Sequence, residues 1–327
     1  MNKSFKWFLL LLIVGFVSGC SKDNETKLEK MSIMLDWYPN AVHSAIYVAQ
    51  EKGYFAEEGL DVNIEMPADT NDPLKLAATG KVDLAISYQT QLLLSRSEGI
   101  PVVSVAALVR HSLDGIMYKK ELGIQSPKDL EGKNVGYPSA SVSEAVVKTM
   151  VNADGGKEKN VKLTDVGWDL MPALATNNVD AIVGAYINHE LVLLNKEGYN
   201  VDIFPLTEFG VPDNYELILV TGEETLKKKE SSIKKFWRAL SKAQADVKQD
   251  PASGLKVLLD HENGNFPLDK KVEQESLDIL LPLMEDKSLP FGYQEEKVWQ
   301  DVADWLFETN VMKEKVDPAQ AFINILE

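Results

Sequence analysis

The sequence predicts an α/β protein of two similar lobes, each built on a sheet of parallel-type strands flanked by helices. Three observations predict it. Short apolar runs alternate with segments of helical periodicity along most of the chain, the pattern of parallel sheets joined by helical crossovers. Gly80-Lys81-Val82-Asp83-Leu84-Ala85-Ile86 is echoed by Asn178-Val179-Asp180-Ala181-Ile182-Val183, each a helix end, a turn and a buried strand. The length of 327 residues suits roughly two compact lobes.

Taken in order, Met31–Leu35 is an apolar run that fits a buried strand. Val42, Ala45, Ile46 and Ala49 then recur at helical spacing, and Gly53 follows as a C-cap. Val62–Ile64 reads as a strand. Asp72-Pro73 supplies an N-cap with proline behind it, and Gly80 closes that helix. Val82–Ser87 is strand-like, Gln89–Ser97 helical up to Gly99, and Pro101–Val109 strand-like again. The pattern then restarts. Ser126-Pro127 opens a short helix, Lys133–Gly136 is a strand, and Ser141-Val142-Ser143-Glu144 reads as the capping box of the next helix. Strands at Val161–Val166 and Val179–Val183 flank a helix near Leu170–Thr176. Asn188–Lys196 is helical, and Val201–Phe204 and Tyr215–Thr221 are strands. From Glu223 onwards helix dominates, with Trp237, Trp299 and Trp305 as packing anchors.

Charge and cysteine usage exclude several classes. Lys plus Arg number 34 against 50 Asp plus Glu, a net charge of −16, and arginine occurs only at Arg96, Arg110 and Arg238. Such a chain is a poor partner for nucleic acid, whose phosphates need clustered basic residues. Cys20 is the single cysteine, which rules out an intrachain disulfide, a CxxC redox pair and a Cys-rich zinc site. The four histidines are far apart in sequence, so neither a metal nor a cofactor is expected.

The N-terminus sets the expected compartment. Lys3 and Lys6 precede the apolar run Trp7–Val17, a charged region and a hydrophobic region of signal-peptide length. Val17-Ser18-Gly19-Cys20 resembles the lipobox of bacterial lipoproteins, in which the chain is cut before a diacylated cysteine. Residues 1–19 are therefore read as a signal peptide and 20–30 as lipidated Cys20 and a polar tether, with the rest outside the cytoplasm and held to membrane lipid through the acyl chains.

Ligands of open α/β sheets bind beyond the carboxyl ends of the strands. Those ends carry Asp36, Trp37, Tyr38, Asn40 and His43; Tyr88, Gln89 and Gln91; Tyr137, Ser139 and Ser141; and Tyr186, Asn188, His189 and Glu190. Aromatic rings and uncharged hydrogen-bonding groups recur, with few carboxylates and little positive charge. That lining suits a flat, neutral, nitrogen-rich ring, stacked on its faces and read at its edge. An anion would call for Arg or Lys at these positions, and Arg110 is the one candidate. Structural roles stand beside the binding ones: Asn40 is a good N-cap, His43 suits a backbone carbonyl, Trp37 and Tyr38 suit lobe packing, and Glu190 suits a first helical turn.

Leu35-Asp36-Trp37-Tyr38-Pro39-Asn40-x-x-His43, the run Ile46–Phe55 and Glu58-Gly59-Leu60-Asp61-Val62 resemble the start of the thiamine-pyrimidine family of periplasmic-type binding proteins. The middle of this stretch is shared with sulfonate and nitrate binders; the opening motif is narrower and points to pyrimidines. Gly184-Ala185-Tyr186, Glu190 and Asn214-Tyr215-Glu216-Leu217 also look like the pyrimidine branch. The resemblance implies the two-lobed periplasmic-binding-protein fold (type II), with lobe 1 at about 31–115 plus 215–327 and lobe 2 at 116–214. It implies a monomer that passes N-formyl-4-amino-5-aminomethyl-2-methylpyrimidine, or the related hydroxymethylpyrimidine, to an ABC permease and its ATPase for thiamine biosynthesis. The same family contains pyrimidine synthases; their lysine and histidine align with Ser87 and Gln91, and their cysteine-rich stretch has no counterpart. The resemblance therefore implies a binder rather than an enzyme. A sulfonate or other small anion in the same fold remains the alternative.

Overall fold

The computed structural model describes residues 27–69, 72–138, 140–167, 169–262, 264 and 267–325, without the side chains of 140 and 141. The expected signal peptide, Cys20 and most of the expected tether lie outside the described residues. The strands are β1 (Glu29–Met34), β2 (Leu60–Glu65), β3 (Leu84–Ser87), β4 (Val102–Val109), β5 (Asp114–Lys119), β6 (Asn134–Tyr137), β7 (Lys162–Asp165), β8 (Ala181–Tyr186), β9 (Val201–Pro205) and β10 (Leu217–Gly222). The helices are α1 (Ser44–Glu51), α2 (Tyr54–Glu57), α3 (Asp72–Ala78), α4 (Gln89–Ser97), α5 (Ala140–Ala153), α6 (Leu170–Ala175), α7 (Glu190–Lys196), α8 (Glu223–Gln249), α9 (Pro251–Asp260), α10 (Lys270–Met284) and α11 (Glu296–Glu308).

Two five-stranded sheets form, in the orders β2-β1-β3-β10-β4 and β7-β6-β8-β5-β9. The pattern is the same in both, which the sequence echo at Asp83 and Asp180 foreshadows. Each sheet is mixed. β10 runs antiparallel to β3 and β4, and β5 antiparallel to β8 and β9. The reason is connectivity: β5 and β10 are the strands that arrive from the other lobe, so they start at the cleft where their neighbours end. Register confirms it, with Leu217 opposite Val109 and Asp114 opposite Tyr186.

The sheets are joined through 110–113 and 206–216. The expected lobe boundary at 115/116 falls inside β5, and the strand itself has no counterpart among the predicted elements. Its opening Asp114-Gly115 has the chemistry of a turn, yet Gly115 is there for space. A Cβ at Gly115 would lie 2.5 Å from the Ile203 side chain and 2.6 Å from the Phe204 carbonyl. At the other end, Glu29 and Lys30 belong to β1 rather than the tether: both pair with β2, and the Ser232 hydroxyl donates to Glu29 at 2.7 Å. α5 begins at Ala140, so Ser141 lies inside its first turn instead of capping it. β8 runs on to Tyr186, three residues past the predicted end at Val183.

The three tryptophans are buried as expected. Trp299 stacks on Phe322 at 5.4 Å, and Trp237 on Phe291 at 5.1 Å. Trp305 donates to the Thr149 hydroxyl at 3.2 Å and so ties α11 to α5 of the other lobe. Truncating any of them would cost about 3–5 kcal/mol.

Candidate functional site

A cavity of about 150 Å³ lies between the sheets, lined from both lobes and from both crossovers. The lobe 1 wall is built by the loop after β1. Asn40 caps a short helical turn: its Oδ1 accepts from Val42 N–H, its Nδ2 donates to the Tyr38 carbonyl, and its own N–H donates to His43 Nδ1. That last bond fixes the proton of His43 on Nε2, which donates to Asp36 Oδ1 at 2.9 Å. The loop is thereby locked with Asp36 and Trp37 facing the cavity. Asp36 Oδ2 also accepts from the Tyr88 hydroxyl at 3.3 Å.

The lobe 2 wall comes from the end of β8 and the start of α5. Gly184 takes φ +92°, a left-handed value that glycine tolerates, and a Cβ there would meet Pro138 at 2.9 Å. Its N–H donates to Asp114 at 2.8 Å. Tyr186 follows, and its hydroxyl donates to Glu216 Oε1 at 3.0 Å. Burial pushes the hydroxyls of Tyr88 and Tyr186 well above the ordinary phenol range, so both remain donors. The single hydroxyl protons of the two tyrosines are thus spent on separate carboxyl groups, Tyr88 on Asp36 and Tyr186 on Glu216. The two rings present polar edges as well as faces.

Asn188 and His189 carry the lobe 2 wall onto α10. Asn188 Nδ2 donates to Ser276 Oγ at 2.9 Å, while its Oδ1 is buried without a partner among the described residues. His189 sits between two carboxylates, Nδ1 at 3.1 Å from Glu190 and Nε2 at 3.5 Å from Glu273. Burial alone would lower its pKa, but Glu190 and Glu273 outweigh it and raise it to about 10. Glu190 is in turn held below the ordinary carboxylate range, the His189 charge and the Tyr186 N–H overcoming its burial.

The crossovers contribute Leu113 and Asp114 from one side, Glu216 and Leu217 from the other. Asp114 Oδ1 accepts from Gly115 and Gly184, and Glu216 Oε2 accepts from Leu113 N–H at 2.9 Å. Burial raises both carboxyls above their usual range; for Asp114, repulsion by Glu216 adds to it. Thr90, Gln91, Val142, Ser143, Val146 and Leu170 complete the lining. No lysine or arginine takes part among the described residues. Nor do they hold a cluster suited to a metal ion.

Of the residues that the strand ends carry, Asp36, Trp37, Asn40, Tyr88, Gln91, Tyr186, Asn188 and His189 line this cavity, and Tyr137 does not. Four more are spent elsewhere. Gln89 is consumed by structure, its amide donating to Val298 O and its carbonyl accepting from Tyr215 N–H. His43 is fully buried behind Asp36. Tyr38 packs edge-on against His189, ring centroids 5.8 Å apart. Glu190 stands behind the wall, its oxygens taken by Tyr186 N–H and His189. Ser139 lies outside the described residues, and the side chain of Ser141 is likewise not described. Arg110 is no anion site: it donates to Tyr293 O and Glu295, lies over the Tyr215 ring, and does not reach the cavity. Asp114 went unread because an Asp-Gly pair signals a turn. Glu216 was legible only as part of a family motif.

Two mixed sheets of one strand order, crossed twice and enclosing a ligand-sized cavity, define the fold of the periplasmic binding proteins. The alkanesulfonate-binding protein SsuA of Xanthomonas axonopodis, solved bound to MOPS, superposes with a TM-score of 0.72 at 14% identity, covering 91% of this chain and 99% of that one. The nitrate-binding protein NrtA of Synechocystis gives 0.68 at 15% identity, covering 90% and 86%.

The family model described as NMT1/THI5 like matches residues 40–253, and the chain belongs to that family. It is 43% identical to the formylaminopyrimidine-binding protein of Halalkalibacterium halodurans, over 99% of this chain and all of that protein. It is 28% identical to a 4-amino-5-hydroxymethyl-2-methylpyrimidine phosphate synthase of Saccharomyces cerevisiae, over 71% of each chain.

Proposed function

We propose that the protein is an extracytoplasmic solute-binding lipoprotein that captures a thiamine pyrimidine precursor and passes it to an ABC permease and its ATPase. The ligand is N-formyl-4-amino-5-aminomethyl-2-methylpyrimidine or the related hydroxymethylpyrimidine. One observation carries the reading: a cavity lined by Trp37, Tyr88 and Tyr186 together with three carboxyl groups, Asp36, Asp114 and Glu216, and by no lysine or arginine among the described residues. Aromatic faces hold a flat ring, and carboxylates accept from ring-borne amines. The full-length likeness to a formylaminopyrimidine-binding protein supports the same ligand.

The protein acts as a monomer and without catalysis. Ser87 and Gln91 stand where the synthases of the family carry lysine and histidine, and Ser87 Oγ is buried without a partner among the described residues. Ser139, Ser141 and Glu190 belong to the same reading, Glu190 as the group that orients His189 and the Tyr186 backbone. Anchoring is through acylated Cys20, with 1–19 removed. Lobe 1 is 29–109 plus the chain from 217, and lobe 2 is 114–205.

Native mass spectrometry of the purified protein tests the ligand. A bound mass equal to the formylaminopyrimidine or hydroxymethylpyrimidine is expected after loading; recovery of the free protein alone at saturating pyrimidine refutes it. Cys20→Ala tests the anchor: the variant should leave the membrane fraction or persist as uncut precursor, and a cleaved, membrane-held variant contradicts lipidation.

A further inference from the structure

Two carboxyls, Asp114 where the first crossover enters lobe 2 and the buried Glu216 on the second crossover, line the cavity, and the pyrimidine reading gives them no task beyond general polarity. Asp114 opens β5, and Glu216 precedes β10. Both are positioned rigidly. Asp114 Oδ1 is pinned by two backbone N–H groups, and Glu216 by Leu113 N–H, the Ser112 hydroxyl and the Tyr186 hydroxyl. Asp114 Oδ2 takes no partner among the described residues and belongs to the cavity wall.

We infer that Asp114 and Glu216 make the cavity select aminopyrimidines that carry no phosphate over the phosphate esters of the same rings. The inference rests on the pyrimidine reading and names which form of the ring is taken. A phosphate ester brings oxygens that only accept. It would meet Asp36, Asp114 and Glu216, all three in the lining. An exocyclic amine or formamide N–H brings the donors these groups lack.

The other charges around the pair do not reverse the balance. Among the described residues His189 is the one cation of the wall, and it is already shared between Glu190 and Glu273. Glu190 adds to the repulsion felt by Asp114. The first turn of α5 borders the cavity through Val142 and Ser143. On its own it favours an anion, but a helix start supplies about half a positive charge, less than one carboxylate removes. Burial raises both carboxyls, and for Asp114 repulsion by Glu216 adds to it; Asp36 brings a third carboxyl to the same lining.

Glu216→Gln and Asp114→Asn test this, since each keeps its shape and its backbone hydrogen bonds through the amide oxygen. Calorimetry on the full chain in detergent uses 4-amino-5-hydroxymethyl-2-methylpyrimidine and its phosphate as probes. The wild type should bind the free pyrimidine roughly a hundredfold more tightly than the phosphate, and each variant should shrink that ratio on the order of tenfold. The phosphate should bind the variants more tightly than it binds the wild type. Similar affinities of the wild type for both probes, or an undiminished ratio in both variants, would overturn the assignment. If the wild type binds the free pyrimidine tightly while the variants keep the ratio, only this inference falls; if it binds neither probe nor the formylaminopyrimidine, the pyrimidine reading falls with it.

Discussion

His189→Gln removes the cation that joins Glu190 on lobe 2 to Glu273 on α10. Glu273 is almost wholly buried, and among the described residues it accepts, besides His189, from Ala41 N–H at 2.7 Å, so the variant leaves a buried carboxylate short of its counter-charge. The folded imidazole has a pKa of about 10, above the 6.5 of an unperturbed histidine. Because the folded value is the higher one, the stabilisation is fully present below pH 6.5 and is lost as pH rises through about 10. At 1.36 kcal/mol per pH unit the shift corresponds to roughly 3–5 kcal/mol, the size expected for breaking a buried pair by removing one partner. Urea unfolding of wild type and variant at pH 6, 8 and 10 reads it. Other tyrosines and lysines titrate alike in both proteins, so the difference isolates His189. The gap should be widest at pH 6 and should narrow steadily toward pH 10. A gap that stays constant across this window would refute the ionic bridge.

Tyr186→Phe keeps the ring but deprives Glu216 of a donor, and calorimetry should show pyrimidine binding weakened by about five- to tenfold, the cost of one buried hydrogen bond. Arg110→Gln breaks the contacts with Glu295 and the Tyr293 carbonyl; stability should fall by about 1–3 kcal/mol in urea, with pyrimidine affinity unchanged, and lost binding would return Arg110 to the site. Gly292→Ala places a Cβ 2.2 Å from the Trp237 ring at a φ of +84°. Thermal unfolding should show it destabilised by about 2–4 kcal/mol.

What the sequence disclosed follows from what patterns encode. Alternating apolar runs gave the approximate positions of nine of the ten described strands because a strand buried on both faces reads as continuous Val, Ile and Leu, as in β4 and β10. β5 escaped because its first residues, Asp114-Gly115, serve the cavity and a tight strand pairing rather than a core. The antiparallel placement of β5 and β10 depends on which lobe the chain comes from, which no local pattern records. Strand ends pointed to Asp36, Tyr88 and Tyr186, because a turn out of a sheet must face the cleft. They could not separate Tyr88 from its neighbour Gln89. One residue further along α4, the side chain turns into the helix–strand interface and binds Val298 and Tyr215. Asn40 and His43 show the same limit. Their motif was legible, but its task is to lock the loop that carries Asp36 and Trp37.

The central claim is that the cavity between the sheets takes a ring without negative charge, read by aromatic and carboxyl groups and by no lysine or arginine among the described residues. Calorimetry with N-formyl-4-amino-5-aminomethyl-2-methylpyrimidine at low and high salt, with and without MOPS as competitor, tests it most directly. The account predicts a one-to-one complex whose affinity changes little with salt, because no exposed ion pair holds the ligand, and which MOPS does not displace. Binding of MOPS in place of the pyrimidine, with affinity falling steeply as salt rises, would contradict it.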